Sequence, residues 1–295
     1  MKVLVLGGNG FIGRNIANKL KLQGANVLIS SRKVVSDSDK INIFMQEMLQ
    51  MNDWLTILLD VDVVVNSVGI LRERKGECYE NVQTLAPIAL AQACAKLDVR
   101  LIHISAIGLS LKAKSRFIRS KFNGEQGILA SNAKAIIVRP SLLDGDGGFG
   151  AKWFRRVAAW RVQGVMQTQG LIAPLQVTDL GEAVANMCFM DFEKLPKVIE
   201  LGGNDILSIP QYLTKLRLTN YPKPATQLTV PKVMVRIISH IFDVFAFTPL
   251  SFGHFELMQG YNVPQVNYLP KLLGRRPSAV GLCGSIGWQV KLEKA

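Results

Sequence analysis

The residues best suited to chemistry stand at the start of the chain. Gly7, Gly8, Asn9, Gly10, Phe11, Ile12 and Gly13 follow an apolar run, residues 3–6, and lead directly into a helical pattern, residues 11–22. A glycine turn between a strand and a helix is the context a phosphate cradle requires. Gly7 permits the tight turn, Gly10 lets the backbone approach a pyrophosphate, and Gly13 lets the helix lie close to the strand. The helix N-terminus adds amide hydrogens and a positive dipole, so the expected chemistry is dinucleotide binding through Gly7, Asn9, Gly10, Phe11, Ile12 and Gly13. A second strand, residues 26–30, ends before Ser31, Arg32 and Lys33. An acid at that place would bind a ribose 2′-hydroxyl, whereas an arginine would accept a 2′-phosphate. No acid occurs between Gly13 and Asp37, and Arg32 lies 19 residues past Gly13. The expectation is therefore NADP(H), held by Ser31, Arg32 and Lys33, with NAD(H) left open.

Such a cradle needs a sheet behind it, and the first half of the chain has the pattern for one. Apolar runs at 62–66, 100–105 and 135–138 read as strands, and 81–97 and 115–130 as helices. The methionine-rich stretch 41–59 fits either period and is divided into a short strand, 41–45, and a helix, 52–59. Repeated βα units predict an α/β fold, a Rossmann-type doubly wound parallel sheet with helices on both faces. After Pro140 the alternation loosens, and glycines cluster at 145, 147, 148 and 150. The expected division is an NAD(P)-binding domain over 1–145 and a smaller C-terminal α/β lobe over 146–295, interleaved with the first. Within that lobe, helices are expected at 180–190, opened by a reciprocal cap of Asp179 and Glu182, at 209–218 and at 232–245.

Composition excludes several classes. The chain has 295 residues, 48% hydrophobic and 19% charged, with a mean hydropathy of +0.21, too apolar for disorder. Cys78, Cys94, Cys188 and Cys283 form no C-x-x-C pair, so no disulfide framework and no metal site is expected. Lys and Arg number 35 against 22 Asp and Glu, giving a net charge of +13, which suits an anionic ligand, partner or membrane surface. The bases gather where acids are missing. Between Asp98 and Glu125 stand Arg100, Lys112, Lys114, Arg116, Arg119 and Lys121, and between Asp146 and Asp179 stand Lys152, Arg155, Arg156 and Arg161. They read either as a place for an anionic small molecule or as a solvated face; nucleic acid is not an expected partner. Residues 230–252 are apolar, but Lys232, Arg236, His240 and Asp243 recur and Pro249 interrupts them, against a bilayer span. An amphipathic helix is expected there, docked on a protein complex or membrane surface or facing the core. The expected location is cytoplasmic, with membrane association open.

With the glycine turn in place, four further stretches resemble an extended, atypical short-chain dehydrogenase/reductase of the NAD(P)-dependent epimerase/dehydratase kind. They are Asp62-Val-Val-Val-Asn-Ser-Val-Gly69, followed by Asn81; His103-Ile-Ser105; Arg139-Pro140-Ser141; and Glu200-Leu-Gly-Gly203. The resemblance implies that Val68 and Gly69 end a strand near the cofactor riboses, that Ser105 is the catalytic serine, and that Pro140 sits beside the nicotinamide. It also implies that Glu200 to Gly203 form a return strand in the substrate lobe. The Val-Gly at 68 and 69, an Arg-Ser-Lys before Gly-Glu and a Val-Thr-Asp-Leu-Gly stretch resemble the nucleotide-binding accessory subunit of respiratory complex I and its stand-alone bacterial relatives.

The family pairs a catalytic tyrosine with a lysine four residues later, and this chain has Phe117 and Lys121. The spacing keeps both on one helical face, but a phenyl ring has no proton to give. Lys121 could still bind the nicotinamide ribose, its pKa lowered by Arg119 nearby. Ser115, Ser120, His103 and Tyr79 are the substitutes in reach by sequence. Three readings follow: an NADP(H)-binding accessory or sensor protein without tyrosine-dependent redox catalysis, an NADPH-dependent reductase or sugar-nucleotide epimerase-like enzyme with an unusual proton donor, and an interaction module without nucleotide.

Overall fold

The computed structural model describes residues 1–32, 39–166, 168–231, 233–236 and 252–281. Lys33, Cys283 and, in the stretch of the expected amphipathic helix, Lys232 and residues 237–251 therefore lie outside the described residues. Seven parallel strands form the main sheet: β1 (Lys2–Leu6), β2 (Asn26–Ser31), β3 (Lys40–Asn42), β4 (Val63–Asn66), β5 (Arg100–Ile104), β6 (Ala135–Pro140) and, much later, β10 (Val198–Leu201). Their order, β3-β2-β1-β4-β5-β6-β10, reverses direction between β1 and β4. In a doubly wound sheet, ligands bind outside the carboxyl ends of the strands at that reversal.

The strands read as continuous apolar runs because both faces are covered. Alternation sends Val3, Val5, Val63, Val65, Ile102 and Ile104 to one side, against α1 (Phe11–Leu22) and α6 (Val177–Cys188). Leu4, Leu6, Val64, Leu101 and Ile137 go to the other, against α2 (Met51–Leu58) and α3 (Ala86–Leu97). α3 is preceded without a break by a π-helical turn, Glu80–Leu85, and α4 (Arg116–Ala130) lies beside it.

Outside the main sheet, two short parallel pairs join β7 (Leu143–Asp144) to β9 (Leu175–Gln176) and β8 (Val162–Met166) to β11 (Thr226–Val230). A separate small core gathers Val157, Ile172, Tyr212, Leu213 and Leu216 from α5 (Phe149–Ala159), α7 (Ile209–Leu218) and the segment between. α8 (Phe252–Gln259) and α9 (Leu269–Leu273) complete the described chain. Among the described residues, no helix is long and apolar enough to cross a membrane.

Three expectations need correction. The strand placed at 41–45 is Lys40–Asn42, because pairing with Ile29, Ser30 and Ser31 sets its register and leaves Ile43 and Met45 to pack in the core. The return strand at Glu200 belongs to the main sheet, where Val198 to Leu201 pair with Ile137 to Pro140, and not to the smaller lobe. Asp179 is not a cap: α6 starts at Val177 after Gln176, and the Asp179 carboxylate is buried within the first turn. There it accepts from the Ser278 N–H and hydroxyl and from Arg275, tying the C-terminal segment to the sheet's cover.

Candidate functional site

Parallel pairing brings the carboxyl ends of β1, β2, β4, β5 and β6 to one edge, so Gly7, Arg32, Val68, Ser105 and Pro140 emerge side by side. At the first of these the chain turns sharply. Gly7 has φ +75°, and the Gly10 N–H donates to the Gly7 carbonyl at 2.8 Å. A β-carbon on Gly13 would lie 2.3 Å from the Gly7 oxygen, and one on Gly8 would lie 2.5 Å from Ile29, so both positions exclude side chains. Gly10 is exposed, with only the Gly7 oxygen within 4 Å of where a β-carbon would sit. The start of α1 carries no side-chain cap and no acid in its first turn. Its amides and dipole thus face outward toward an anion.

Two hydroxyls that the motif does not contain shape this turn. Ser30 Oγ accepts the Gly7 N–H at 2.9 Å, and Ser67 donates to the Leu6 carbonyl at 2.6 Å while packing against Gly7 and Gly13. Both sit at strand ends beside β1, which only the strand order reveals. Asn9 is exposed at the tip, and Ile12 is half-buried. Phe11 packs beneath Gly148, where a β-carbon would come within 2.8 Å of its ring. The second glycine cluster therefore has a packing cause: its loop lies over the start of α1.

At the other end of the edge, the groups expected to face a nicotinamide keep open hydrogen-bonding capacity. Ser105 is buried, its N–H donates to the Val138 carbonyl at 2.7 Å, and its hydroxyl has no partner among the described residues. Lys121 is half-buried, and its ammonium reaches no partner among the described residues. A β-carbon on Gly69 would sit 3.6 Å from the Lys121 Nζ, so Gly69 leaves the amine open to the cleft. Burial lowers the Lys121 pKa and Glu125 opposes the shift. The arginine invoked for that effect does something else: Arg119 donates to the Ala113 and Lys114 carbonyls at 2.7 Å each. Glu125 is fully buried and held by Arg139, whose Nε donates to Oε1 at 3.0 Å. Pro140 ends β6, and its carbonyl accepts the Ile107 N–H. A buried hydroxyl without a partner is costly unless something polar meets it, and the Lys121 amine is open to the cleft, so these residues fit a dinucleotide.

The proposed substitutes for the missing phenol divide clearly. His103 is buried, its Nδ1 lies 3.2 Å from Asn66 Nδ2, and burial followed by the Lys121 charge pushes its pKa down to about 3. It is a neutral structural base. Ser120 donates back to the Phe117 carbonyl within its helix. Ser115 is buried under α8, whose Glu256 accepts the Lys114 and Ser115 N–H groups at 2.8 Å each. Phe117 itself is buried in an aromatic stack, edge-on to Tyr79 at 5.8 Å and nearly parallel to His254 at 5.3 Å. Tyr79 donates to the Leu71 carbonyl. His254 was not visible as a site residue in the sequence, because 137 residues separate it from Phe117 and no motif surrounds it. Of the basic clusters, Arg116 pairs with Glu73 and Arg155 with Asp144, whereas Lys112, Lys152, Arg156 and Arg161 stay exposed.

Comparison with known proteins agrees with this geometry. Residues 3–170 match the family described as NAD dependent epimerase/dehydratase family. The chain is 26% identical over 258 residues to the NADH-ubiquinone oxidoreductase 40 kDa subunit of Neurospora crassa mitochondria, covering 83% of this chain and 67% of that one. Among solved structures it resembles UDP-glucuronic acid 4-epimerase from Bacillus cereus, in complex with UDP-glucuronic acid and NAD, at TM-score 0.66 and 16% identity over 95% of each chain. A human epimerase family protein solved with NADPH superposes at TM-score 0.64 and 16% identity, over 94% of this chain and 95% of that one.

Proposed function

Because the chain belongs to the NAD dependent epimerase/dehydratase family, we propose that it is an NADP(H)-binding protein that holds its nucleotide without tyrosine-dependent redox turnover, as an accessory or sensor protein. The observation that carries this is Phe117, a ring with no proton to give, sealed between Tyr79 and His254 while Ser105 and Lys121 keep unpartnered polar groups. Gly7, Asn9, Gly10, Phe11, Ile12 and Gly13 would hold the pyrophosphate, Ser31 and Arg32 the adenosine ribose with its 2′-phosphate. Val68, Gly69 and Pro140 would flank the nicotinamide half, with Ser105 and Lys121 donating to it. When bound, the nucleotide supplies or accepts a hydride; the chain's own groups orient it and offer no phenolic proton. A ligand that binds only the folded state stabilises it by about 2.7 kcal/mol at a hundred times its Kd, so a nucleotide can serve as a scaffold element without turnover.

An assembled role is supported by the relation to a subunit of NADH-ubiquinone oxidoreductase. Its surface would be the exposed apolar residues Trp160, Val162, Leu228, Val233 and Met234 on and beside the β8–β11 pair. The segments that build this pair contain no acid from 147 to 178 and from 206 to 242, which suits an anionic partner. The test is to identify nucleotide that copurifies with the protein, titrate NADPH and NADH, and assay a carbonyl panel. NADPH should bind more tightly and turnover should be absent; robust turnover indifferent to replacement of Phe117 would overturn the reading.

One observation favours a second reading, a reductase with another proton donor: the His254 ring lies against Phe117, where the family's phenol would stand. Turnover in the unaltered protein that is lost on His254→Ala would select it.

A further inference from the structure

The ribose end of the cradle carries a charge that the strand motif does not contain. Arg32 follows β2, and its Nη1 lies 3.2 Å from Glu77 Oε1; the arginine side chain is 72% exposed and the glutamate side chain 17%. The two are held very differently. Glu77 closes a tight hairpin in which its N–H donates to the Arg74 carbonyl at 2.9 Å and its carbonyl accepts the Arg74 N–H at 3.0 Å, with Gly76 at φ +86°. The next N–H groups are fixed too, Cys78 to Gln46 Oε1 and Tyr79 to Glu73 Oε1, both at 2.9 Å. Arg32 is a long solvated side chain, and an exposed ion pair restrains it weakly. The carboxylate stands on a fixed backbone and is largely shielded, whereas the guanidinium is solvated and adaptable.

A carboxylate accepts a hydrogen bond from a ribose 2′-hydroxyl and repels a 2′-phosphate, whereas a guanidinium binds the phosphate through paired charge-assisted hydrogen bonds. β2 ends without an acid, yet folding brings one to the arginine that follows it from 45 residues along the chain. We propose that Glu77 is the acid of the adenosine-ribose site and that the Arg32–Glu77 pair determines cofactor choice. With a 2′-hydroxyl in place, the pair stays closed and Glu77 accepts from the hydroxyl. With a 2′-phosphate in place, Arg32 turns from Glu77 to the phosphate, and the charge of the nearby carboxylate opposes it. The chain then takes both NADP(H) and NAD(H), with a narrower preference for NADP(H) than Arg32 alone would give. This rests on the reading that a dinucleotide lies along the glycine turn with its adenosine ribose at Arg32.

The test is titration of the full-length protein, Arg32→Ala and Glu77→Gln with NADPH and NADH, and with adenosine 2′,5′-bisphosphate and ADP as probes that lack the nicotinamide. Glu77→Gln keeps the size of the side chain and removes only its charge. It should tighten NADPH and the bisphosphate about threefold to tenfold and weaken NADH by a similar factor, while Arg32→Ala weakens NADPH about tenfold or more and barely alters NADH. If Arg32→Ala acts as expected and Glu77→Gln changes nothing, the role of Glu77 is overturned and the dinucleotide reading stands. If Glu77→Gln weakens NADPH in parallel with Arg32→Ala, Glu77 only orients the guanidinium and the proposal is equally overturned. If the unaltered protein binds none of the four probes, it is the reading of the glycine turn that fails.

Discussion

The two ends of the candidate cleft are built from different materials. At the phosphate end the shape comes from backbone and small residues: Gly7 at positive φ, Gly13 against the Gly7 carbonyl, and the hydroxyls of Ser30 and Ser67. At the end proposed for the nicotinamide it comes from side chains of distant elements, with Phe117 of α4 stacked between Tyr79 and His254 of α8. An anion cradle made of backbone tolerates few substitutions, because almost any β-carbon fills it. A proton-transfer position made of side chains can lose its phenol to a phenyl ring and stay packed. Binding and turnover would then be separable in this fold, and the comparison can be broken from either end.

The largest effect is expected from restoring the phenol. Phe117→Tyr, four residues before the Lys121 ammonium that would lower its pKa, should raise reductase turnover with NADPH by about 10²- to 10⁴-fold over the unaltered protein. A panel of carbonyl substrates, followed at the nicotinamide absorbance, gives the answer. An unchanged rate would mean that the stack with Tyr79 and His254 keeps substrate out, which the same assay on Phe117→Tyr with His254→Ala would show.

At the phosphate end, Gly13→Ala places a β-carbon 2.3 Å from the Gly7 oxygen. Strain of that kind typically costs about 1–3 kcal/mol, and here it should also displace the turn, so that urea midpoints fall and nucleotide affinity drops by about a hundredfold. Normal affinity in this variant would remove the glycine turn from the site. A smaller change separates the two ends directly. Lys121→Met should weaken NADPH by about tenfold and leave adenosine 2′,5′-bisphosphate unaffected, if the amine meets only the nicotinamide half as proposed. Equal weakening of both ligands would place Lys121 elsewhere.

A further effect, spread over several pH units, is in stability against pH. His103 titrates at about 3 in the folded protein, below its ordinary 6.5, because burial disfavours the charged ring. Between those values the unfolded chain binds the extra proton, so stability falls as pH drops through the window, by at most about 1.4 kcal/mol per pH unit. Urea unfolding at pH 4 to 6.5 should show this slope, and His103→Gln should flatten it. An unchanged slope would assign the acid sensitivity to other groups.

The sequence by itself determined what is local. The glycine turn, the strand before it and the helix after it are contiguous, so their joint chemistry shows within residues 2–22. Likewise, Phe117 and Lys121 share a helical face by spacing alone, and the continuous apolar runs at β1 and β4 already require cover on both sheet faces. What only the tertiary structure decided is which distant groups meet these elements. Strand order set Ser30 and Ser67 under the glycine turn, a hairpin brought Glu77 to Arg32, and α8 laid His254 over Phe117. The same limit explains the misplaced cap: Asp179 and Glu182 have cap spacing, but the buried carboxylate finds stronger donors in Arg275 and Ser278, nearly a hundred residues away. Periodicity and spacing report the forces along one element. The hydrogen bonds and charges that complete a site depend on desolvation between elements, which no local pattern encodes.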